Sequence, residues 1–308
     1  MKKIILFFAV LAAVLFAGWY VIVAGLYGKL TYRPIESVSA APYKEEGVIN
    51  ILLIGNDSRE NGEDGRSDAM ILLSVSDKTK TVHMTSLLRD MYVEIPGHDG
   101  NRLNAAYSYG GAKLLMETIE KNLGIEVNRY ALVNFEAFAS LVDAAGGVDL
   151  ELSNEEVQLV NGYLVEYNQL TNRPEGTDYL DASASGMIHL NGPQALAYSR
   201  NRYIGTDFGR TQRQRKVLAA VIRNLPKALL NEPAALIDGV LSNLTTNLST
   251  GEVFSLSLQA WKLLGYDMVQ SSIPLEGTWK NSTIRGMSVL EVDYDANRAY
   301  LKSALYDE

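Results

Sequence analysis

The residues best suited to chemistry lie in one basic stretch, ALAYSRNRYIGTDFGRTQRQRK, at positions 195–216. It gathers five arginines and one lysine, although the whole chain has a formal net charge of -8. Like charges at this density repel one another unless an anion or carboxylates compensate them. The planar guanidinium fork suits bidentate contacts with phosphate. The stretch therefore favours binding of a phosphate-containing anion, and the alternative is an ordinary solvated charge run.

The first half of this stretch is predicted to be extended. Side chains alternate along a strand, so an extended segment over 196–202 places Tyr198, Arg200 and Arg202 on one face. In that arrangement Arg200 and Arg202 reach one ligand together.

The second half is predicted to be a helix over about 209–224. Three of its side chains share one helical face at positions i, i+3 and i+4: Arg210, Arg213 and Gln214. Arg215 and Lys216 are out of register with that face, and we expect them to be solvated. Guanidinium groups from a strand and from a helix would thus converge.

A second charged set lies in the loop NDSRENGEDGRSD, between two apolar runs. It supplies Arg59 and Arg66 together with Asp57 and Asp68. Ligands of open α/β sheets bind outside the strand ends, and carboxylates are the hard oxygen ligands that Mg²⁺ uses beside substrate phosphates. On these residues alone, the favoured interpretation is a solvated loop with local Asp–Arg pairs. A metal site at the two aspartates is the alternative.

Two smaller motifs carry further polar candidates. Arg89 and Asp90 follow directly after the apolar run TVHMTSL, either as site residues or as a structural ion pair. Asn104 lies in RLNAAYSYGG, where it contributes to a site or caps the following helix.

Apolar patterning predicts the elements that position these residues. VINILLIG, AMILLSVS and TVHMTSL indicate buried strands, the last two forming a hairpin. Leucine spacing in 112–124 predicts a helix that ends at Gly124, and Ser153 and Glu156 have capping-box spacing. Strands and helices alternate, so we predict an α/β fold with a mixed central β-sheet sandwiched between helical layers.

The N-terminus predicts a membrane anchor. Two lysines precede an uncharged, mostly apolar run over 4–27, long enough to span a bilayer as one helix. Positive charge at the short end predicts a cytoplasmic N-terminus over 1–3 and an extracytoplasmic domain. We expect a juxtamembrane linker over 28–47 and a domain over 48–308, with a motif core over 48–225 and a C-terminal extension over 226–308. A cleaved signal peptide is the alternative.

Composition excludes several classes of function. The chain has no cysteine, so disulfides, thiolate metal sites and cysteine nucleophiles are excluded. With 47% hydrophobic and 21% charged residues it has the composition of a globular protein. Its acidity argues against nucleic acid as a partner, because the nucleic-acid backbone requires a basic face.

Seven ordered blocks resemble the LytR-CpsA-Psr family of membrane-anchored cell-wall glycopolymer transferases. They are LLIGNDSR, GRSDAMIL, LLRDMYVEIPG, RLNAAYSYGG, VNFEAFASLVDAAGGV, LNGPQALAYSRNR and DFGRTQRQRKVL. The resemblance implies a mixed sheet between helical layers, with an apolar pocket for a polyprenyl chain. Departures are mild: Leu88 replaces a common proline, Asn56 a common threonine, and Arg102-Leu103-Asn104 a common Lys-Ile-Asn.

The resemblance also implies roles for particular residues. It implies Mg²⁺, or alternatively Mn²⁺, at Asp57 and Asp68. The expected pyrophosphate-binding residues are Arg59, Arg66, Arg89, Asn104, Arg200, Arg202, Arg210, Arg213 and Gln214. The expected catalytic residues are Arg89, Asp90, Arg200 and Arg202. The lipid-pocket candidates are Leu115, Ile119, Phe135, Phe138 and Val142, and for each of them a position in an ordinary core is the favoured interpretation.

The implied function is transfer of a teichoic-acid-like or capsular glycopolymer from undecaprenyl pyrophosphate to a peptidoglycan hydroxyl. The expected partners are the lipid-linked glycopolymer, the peptidoglycan acceptor and the membrane. One alternative is a polyprenyl pyrophosphate phosphatase or pyrophosphatase with water as the attacking group. Another is a non-enzymatic, lipid-binding regulator of the envelope.

Overall fold

The computed structural model describes residues 19–20, 23–25, 27–35, 47–56, 67–201, 207–231 and 244–306. Its strands are β1 (Thr31–Tyr32), β2 (Val48–Asn56), β3 (Ser67–Ser76), β4 (Thr81–Leu87), β5 (Tyr92–Val93), β6 (Asn101–Arg102), β7 (Tyr130–Val133), β8 (Val148–Leu152), β9 (Gly186–Leu190), β10 (Leu244–Thr246), β11 (Asp267–Ile273), β12 (Trp279–Ile284) and β13 (Met287–Val292). Its α-helices are α1 (Leu103–Leu123), α2 (Phe135–Ala144), α3 (Asn154–Leu170), α4 (Gly192–Arg200), α5 (Asp207–Asn231), α6 (Thr250–Gln259) and α7 (Tyr294–Tyr306).

A seven-stranded mixed sheet forms the centre of the fold, in the order β1-β10-β7-β2-β3-β4-β11. Strands β2, β3 and β4 are antiparallel neighbours, as the predicted hairpin requires. Strand β7 pairs with β2, and β11 with β4, in the parallel direction. The predicted mixed α/β sheet is therefore confirmed.

Helices cover both faces of this sheet, which explains the nearly continuous apolar strands. Leu52 and Ile54 pack into the same core as Leu115 of α1. The intervening Leu53 packs instead with Ala219 of α5. Successive side chains of a strand point to opposite faces, so apolar residues at consecutive positions are needed wherever both faces are buried.

A second core lies beside the sheet, where α2, α3, α4 and the β8–β9 hairpin meet. Val142, Val160, Leu190 and Tyr198 are fully buried there. The predicted capping box begins α3: the Ser153 side chain accepts from the Glu156 backbone N–H, and the Glu156 carboxylate accepts from that of Ser153. This core therefore fixes α4, the helix that leads into the basic stretch.

Helix α1 begins earlier than the predicted start at position 112. Two helical segments join across a kink at Gly110 and Gly111, and Gly111 has a φ of 63°. The leucine pattern detects the second segment alone. Its end is confirmed, because Gly124 adopts the left-handed C-cap conformation and its N–H donates to the carbonyl of Glu120.

The predicted extended segment over 196–202 is wrong, because α4 occupies Gly192–Arg200. Asn191 and Gln194 form a capping box that nucleates the helix, with Pro193 in its first turn. Tyr198 is buried and Arg200 lies at the C-terminal end of α4, so these two do not share a strand face. The capping signal in LNGPQ was available in the sequence.

The C-terminal segment adds an edge strand and a separate hairpin. Strand β11 extends the main sheet beside β4, whereas β12 and β13 pair with each other. The hairpin is attached near the end of β4, where the N–H of Leu290 donates to the carbonyl of Asp90 at 2.8 Å. Residues after 226 therefore contribute to the end of the sheet where the charged motifs lie.

Most of the predicted anchor over 4–27 lies outside the described residues. The indole N–H of Trp19 donates to Ser257 at 3.1 Å, and the Tyr27 hydroxyl donates to the carbonyl of Leu248 at 2.8 Å. Within the part of the chain that the structure describes, no helix is long and apolar enough to cross a membrane.

Candidate functional site

A cavity of about 940 Å³ opens where β4 and β11 end and β3 begins. The start of α5 forms another side of it, and the β12–β13 hairpin and α7 close it. Its charged lining residues are Arg89, Asp90, Arg102, Asp207, Arg210 and Glu276. Its large apolar lining residues include Met70, Leu87, Leu88, Phe208, Leu275, Trp279, Leu290 and Tyr300. One cavity therefore presents both arginines and an apolar surface.

Three arginines and two aspartates form a connected group on the charged side. Arg210 Nη2 lies 3.3 Å from Asp207 Oδ1, and Arg89 Nη2 lies 3.8 Å from Asp207 Oδ2. Asp90 accepts from Arg102 at 3.2 Å and lies 3.5 Å from Arg89 Nε. These five side chains carry one excess positive charge. Because Arg210 is buried and Arg89 is largely so, their field is less screened than it would be in water.

Backbone contacts hold Arg89 at this position. The N–H of Leu88 continues the β4–β11 pairing by donating to the carbonyl of Ile273 at 2.9 Å. The N–H of Asn104 donates to the carbonyl of Arg89 at 3.2 Å. Asn104 therefore supports Arg89 through its main chain, and its own side chain is buried rather than part of the cavity lining.

The apolar side joins residues from distant parts of the sequence. The rings of Phe208 and Trp279 stack, with centroids 5.3 Å apart and planes inclined by 23°. Leu87 and Met70 come from the buried face of the sheet. This wall can hold a hydrocarbon chain next to the guanidinium groups.

Arg200 and Arg213 occupy different surroundings. The Arg200 guanidinium lies 4.4 Å from the ring centroid of Phe135. Arg213 is buried, with Nε 3.2 Å from Glu156 Oε1, and it donates to the carbonyl of Asn201 at 3.3 Å. The structure directs these two toward α2 and α3.

Gln214, the third residue of the predicted helical face, is half-buried. Among the described residues, neither Gln214 nor Arg213 lines the cavity, whereas Arg210 does. The predicted face is therefore divided, and Arg210 alone of its three members reaches the cavity.

Several predicted residues lie outside the described part of the chain: Asp57, Arg59, Arg66 and Arg202. Asp68 belongs to β3, and its backbone alone is described. Asn56 pairs with Ser67 across β2 and β3, and Ala69 lines the cavity. The start of β3, which includes Asp68, thus adjoins the cavity.

Within the described ranges, no group of three or more histidine or acidic side chains is arranged to hold a metal ion.

The five lipid-pocket candidates do not come together. Leu115 and Ile119 are fully buried in the core beneath α1, and Val142 is fully buried in the second core. Phe138 packs against that second core, and Phe135 lies under Arg200. The structure places Leu115 and Ile119 in one core and Phe138 and Val142 in another, and the cavity lining offers a different apolar surface.

Sequence reasoning missed several residues of the cavity. Among them are Asp207 and Arg102, which the local sequence pattern does not mark as members of the site. Their pairing with Arg89, Arg210 and Asp90 depends on the tertiary fold. Trp279 and Leu290 come from the C-terminal segment, which carried no chemical signal.

The prediction that Arg215 is solvated is wrong. Its side chain is buried, and its Nη1 donates to Ser86 Oγ at 2.5 Å and to Ser272 Oγ at 2.8 Å. Burial lowers the pKa of this guanidinium to about 10, which leaves it protonated at neutral pH. Lys216 is exposed, as predicted.

The chain is similar to known proteins in sequence and in fold. The chain is 34% identical over 236 residues to the polyisoprenyl-teichoic acid–peptidoglycan teichoic acid transferase TagU of Enterococcus faecalis, which covers 74% of this chain and 71% of that protein. A structure of TagT bound to LI-WTA matches 90% of this chain and 99% of its own, with a TM-score of 0.69 and 27% identity. The LytR-CPS2A-psr family protein YwtF (TagT) with bound octaprenyl pyrophosphate lipid matches the same shares, with a TM-score of 0.65 and 25% identity.

The family comparison covers nearly the whole chain. The model of the LytR_cpsA_psr family matches residues 28–304, which include the sheet, the arginine-lined cavity and the C-terminal hairpin. This chain therefore belongs to the LytR_cpsA_psr family.

Proposed function

We propose that this protein transfers a glycopolymer from a polyprenyl pyrophosphate to a hydroxyl group of peptidoglycan. The observation that carries the proposal is the single cavity in which Arg89, Arg102 and Arg210 adjoin a large apolar surface. The name of TagU states polyisoprenyl-teichoic acid and peptidoglycan as its substrates, and a TagT structure holds octaprenyl pyrophosphate. A lipid with a doubly phosphorylated head needs both kinds of surface.

The pyrophosphate is held by guanidinium groups in this proposal. Arg89 and Arg210 approach Asp207 from two sides, so each already points into a shared region where a phosphate can replace a carboxylate as partner. Arg59, Arg66 and Arg202 remain proposed contributors, whereas Arg200 at the C-terminal end of α4 lies against Phe135. Bidentate contacts of this kind are charge-assisted and strong.

The lipid tail lies along the apolar wall in this proposal. Phe208 and Trp279 stack at one side of the cavity, and Leu87 and Leu88 lie at the end of β4. Burial of isoprenoid carbon stabilises the complex by about 25 cal/mol per Å² removed from water. The head group is then held at the arginine side, where the reacting phosphorus lies.

The reaction is a substitution at the phosphorus that bears the glycan. A peptidoglycan hydroxyl oxygen forms the new P–O bond and gives up its proton to solvent. The bond to the bridging oxygen breaks, and polyprenyl phosphate leaves with the bonding electron pair. Phosphoryl transfer depends mainly on positioning and on neutralising charge. The arginines supply both. Asp90 is bonded to Arg102 and adjoins Arg89, so we assign it to orienting these two arginines.

Mg²⁺, with Mn²⁺ as a substitute, is proposed at Asp57 and Asp68. Two carboxylates at adjoining strand ends, beside a phosphate site, are a donor set suited to a hard cation. Support comes from Asp68, which lies at the start of β3 next to the cavity-lining residue Ala69. When bound, the ion would neutralise negative charge on the phosphate oxygens.

The protein is proposed to lie outside the cytoplasmic membrane, held by the helix predicted over 4–27. Support comes from the contacts of Trp19 with Ser257 and of Tyr27 with Leu248. They attach the end of the predicted anchor to the domain, which would keep the cavity close to the membrane that supplies the lipid.

The test uses the full chain in detergent, a polyprenyl-pyrophosphate-linked glycan and a peptidoglycan fragment. We expect a glycan–peptidoglycan conjugate from the wild type and none from Arg89→Ala or Arg210→Ala. Arg285→Ala is the matched control, because Arg285 forms an ion pair with Asp99 and does not line the cavity. Release of glycan phosphate without conjugate in the presence of acceptor would show a hydrolase and contradict the proposal.

A further inference from the structure

We propose that Arg215 is a positioning residue of the transfer site, which acts on the bound pyrophosphate through the hydroxyl group of Ser272. The proposal rests on the function proposed above and concerns a residue that does not itself line the cavity.

Arg215 differs from the other buried arginines of α5 in its partners. Arg210 lies 3.3 Å from Asp207, and Arg213 lies 3.2 Å from Glu156. Arg215 is 7% exposed and donates to two serine hydroxyls, those of Ser86 and Ser272. Within the described ranges, no carboxylate forms an ion pair with it, and the partners that the structure gives its guanidinium are neutral hydroxyl groups.

A buried charge of this kind is costly to fold. Removal of a guanidinium from water is compensated best by an opposite charge, and serine hydroxyls compensate it in part. Proteins leave a buried charge without an opposite charge mainly at sites where function requires it. A dianionic or trianionic ligand in the adjacent cavity would supply the missing negative charge.

The position of Arg215 relative to the cavity supports this role. Thr211, one helical turn before Arg215, lines the cavity, and so does Ser272. Ser86 pairs with Ser272 across β4 and β11, and the following residue Leu87 lines the cavity. The guanidinium therefore lies directly behind the part of the cavity wall that Thr211 and Ser272 form.

The direction of the hydrogen bonds at Ser272 follows from which groups can donate and which can accept. Ser272 Oγ accepts from Arg215, and a hydroxyl cannot return its proton to a guanidinium, which has no acceptor. The Ser272 proton is consequently left for another acceptor. Polarisation by the charged donor strengthens that second hydrogen bond. Since Ser272 lines the cavity, a phosphate oxygen is the acceptor that fits.

The experiment compares Arg215→Met with Lys216→Met in the full chain. Each variant loses one cation at adjoining positions of α5, but Lys216 is exposed. Binding of farnesyl pyrophosphate and of farnesyl phosphate is measured by calorimetry, and transfer and thermal unfolding are measured in parallel. We expect Arg215→Met to weaken pyrophosphate binding about tenfold to hundredfold, as for loss of a charge-assisted hydrogen bond. We expect a smaller effect on the monophosphate, and wild-type behaviour from Lys216→Met.

Two further variants keep the proposal testable if Arg215→Met fails to fold. Ser272→Ala should weaken pyrophosphate binding in the same direction, and Arg215→Lys should restore part of the affinity. The double variant should bind no worse than Arg215→Met, because residues acting in one chain are not additive. Additive losses, or a Ser272→Ala variant with wild-type affinity and transfer, would overturn the proposal.

A purely structural Arg215 would give a different result. It ties β11 to β4, so its loss would lower the unfolding temperature and leave the pyrophosphate affinity of the folded protein unchanged. Failure of the proposed function is distinguishable from failure of the Arg215 proposal, because in that case the wild type itself would bind no farnesyl pyrophosphate.

Discussion

The ring of Phe208 stacks on the ring of Trp279, with centroids 5.3 Å apart and planes inclined by 23°. Phe208 belongs to the first turn of α5, which also carries Arg210, and Trp279 begins β12. The contact therefore connects the arginine side of the cavity to the C-terminal hairpin. It gives the segment after 226 a role in placing the start of α5.

Replacement of Trp279 by alanine should loosen the start of α5 and open the apolar wall. We expect the KM for the lipid donor to rise several-fold and the free energy of unfolding to fall by about 1–2 kcal/mol, because a half-buried aromatic pair is lost. Steady-state transfer at varied donor concentration, with thermal unfolding, measures both. Trp279→Phe, which keeps a stacking ring, and Lys280→Ala, at an exposed neighbour, are the controls. An unchanged KM in Trp279→Ala would show that the β12–β13 hairpin does not contribute to binding of the lipid donor.

Replacement of Arg213 by methionine should affect stability more than ligand binding. The change leaves Glu156 Oε1 without its guanidinium partner in a largely buried position. Loss of one member of such a pair costs roughly 3 kcal/mol. Chemical denaturation measures the loss, and calorimetry with a polyprenyl pyrophosphate measures affinity. Weaker affinity at unchanged stability would instead support the assignment of Arg213 to the pyrophosphate made from the sequence.

Removal of divalent cations should abolish transfer by the wild type. Chelation followed by addition of Mg²⁺ or Mn²⁺ should restore it, because the proposed ion neutralises phosphate charge. Asp57→Asn and Asp68→Asn should need higher metal concentrations, whereas Asp149→Asn, at an exposed carboxylate paired with His189, should behave as wild type. Full transfer activity after chelation of divalent cations would contradict the proposed role of a metal ion.

Glu120 should make the stability of the fold depend on pH. Desolvation by burial, followed by the nearby charges of Glu126 and Glu117, raises the pKa of this carboxyl from about 4.5 to about 7, although the Val127 N–H donates to it. The folded state thus binds a proton that the unfolded chain releases between these two values. The free energy of unfolding should fall as pH rises from 4.5 to 7, by roughly 3 kcal/mol in all.

Glu120→Gln is the matched variant, because it imitates the neutral carboxyl and keeps an acceptor for the Val127 N–H. Its stability should equal that of the wild type near pH 4.5 and exceed it at pH 8. Denaturant unfolding at a series of pH values measures the difference. If the free energies of unfolding of the two proteins changed in parallel with pH, Glu120 would not titrate as described.

Local signals predicted much of the fold. The strand TVHMTSL was predicted with its observed bounds, and the hairpin before it followed from apolar runs on both sides of a polar turn. Gly124 and the Ser153–Glu156 capping box were also found, because each depends on residues a few positions apart. The same kind of signal at Asn191 and Gln194 was overlooked in favour of alternation along a strand.

The sequence predicted which types of residue form the candidate site, but only some of the particular residues. Arg89, Asp90 and Arg210 do meet in the cavity. Arg213 does not line it, although spacing on α5 placed it beside Arg210, because Glu156 of α3 lies where the guanidinium can pair with it. Helical spacing defines a face but not the neighbour that the face meets.

The sequence by itself determined the alternation of strands and helices, the helix caps, and the presence of an arginine-rich stretch in an acidic chain. These features depend on side chains that are close together along the backbone. The tertiary structure alone decided that Arg215 is buried, that Asp207 lies between two arginines, and that Trp279 closes the cavity. Those outcomes arise from packing between segments far apart in the chain, where burial and pairing depend on which surfaces meet.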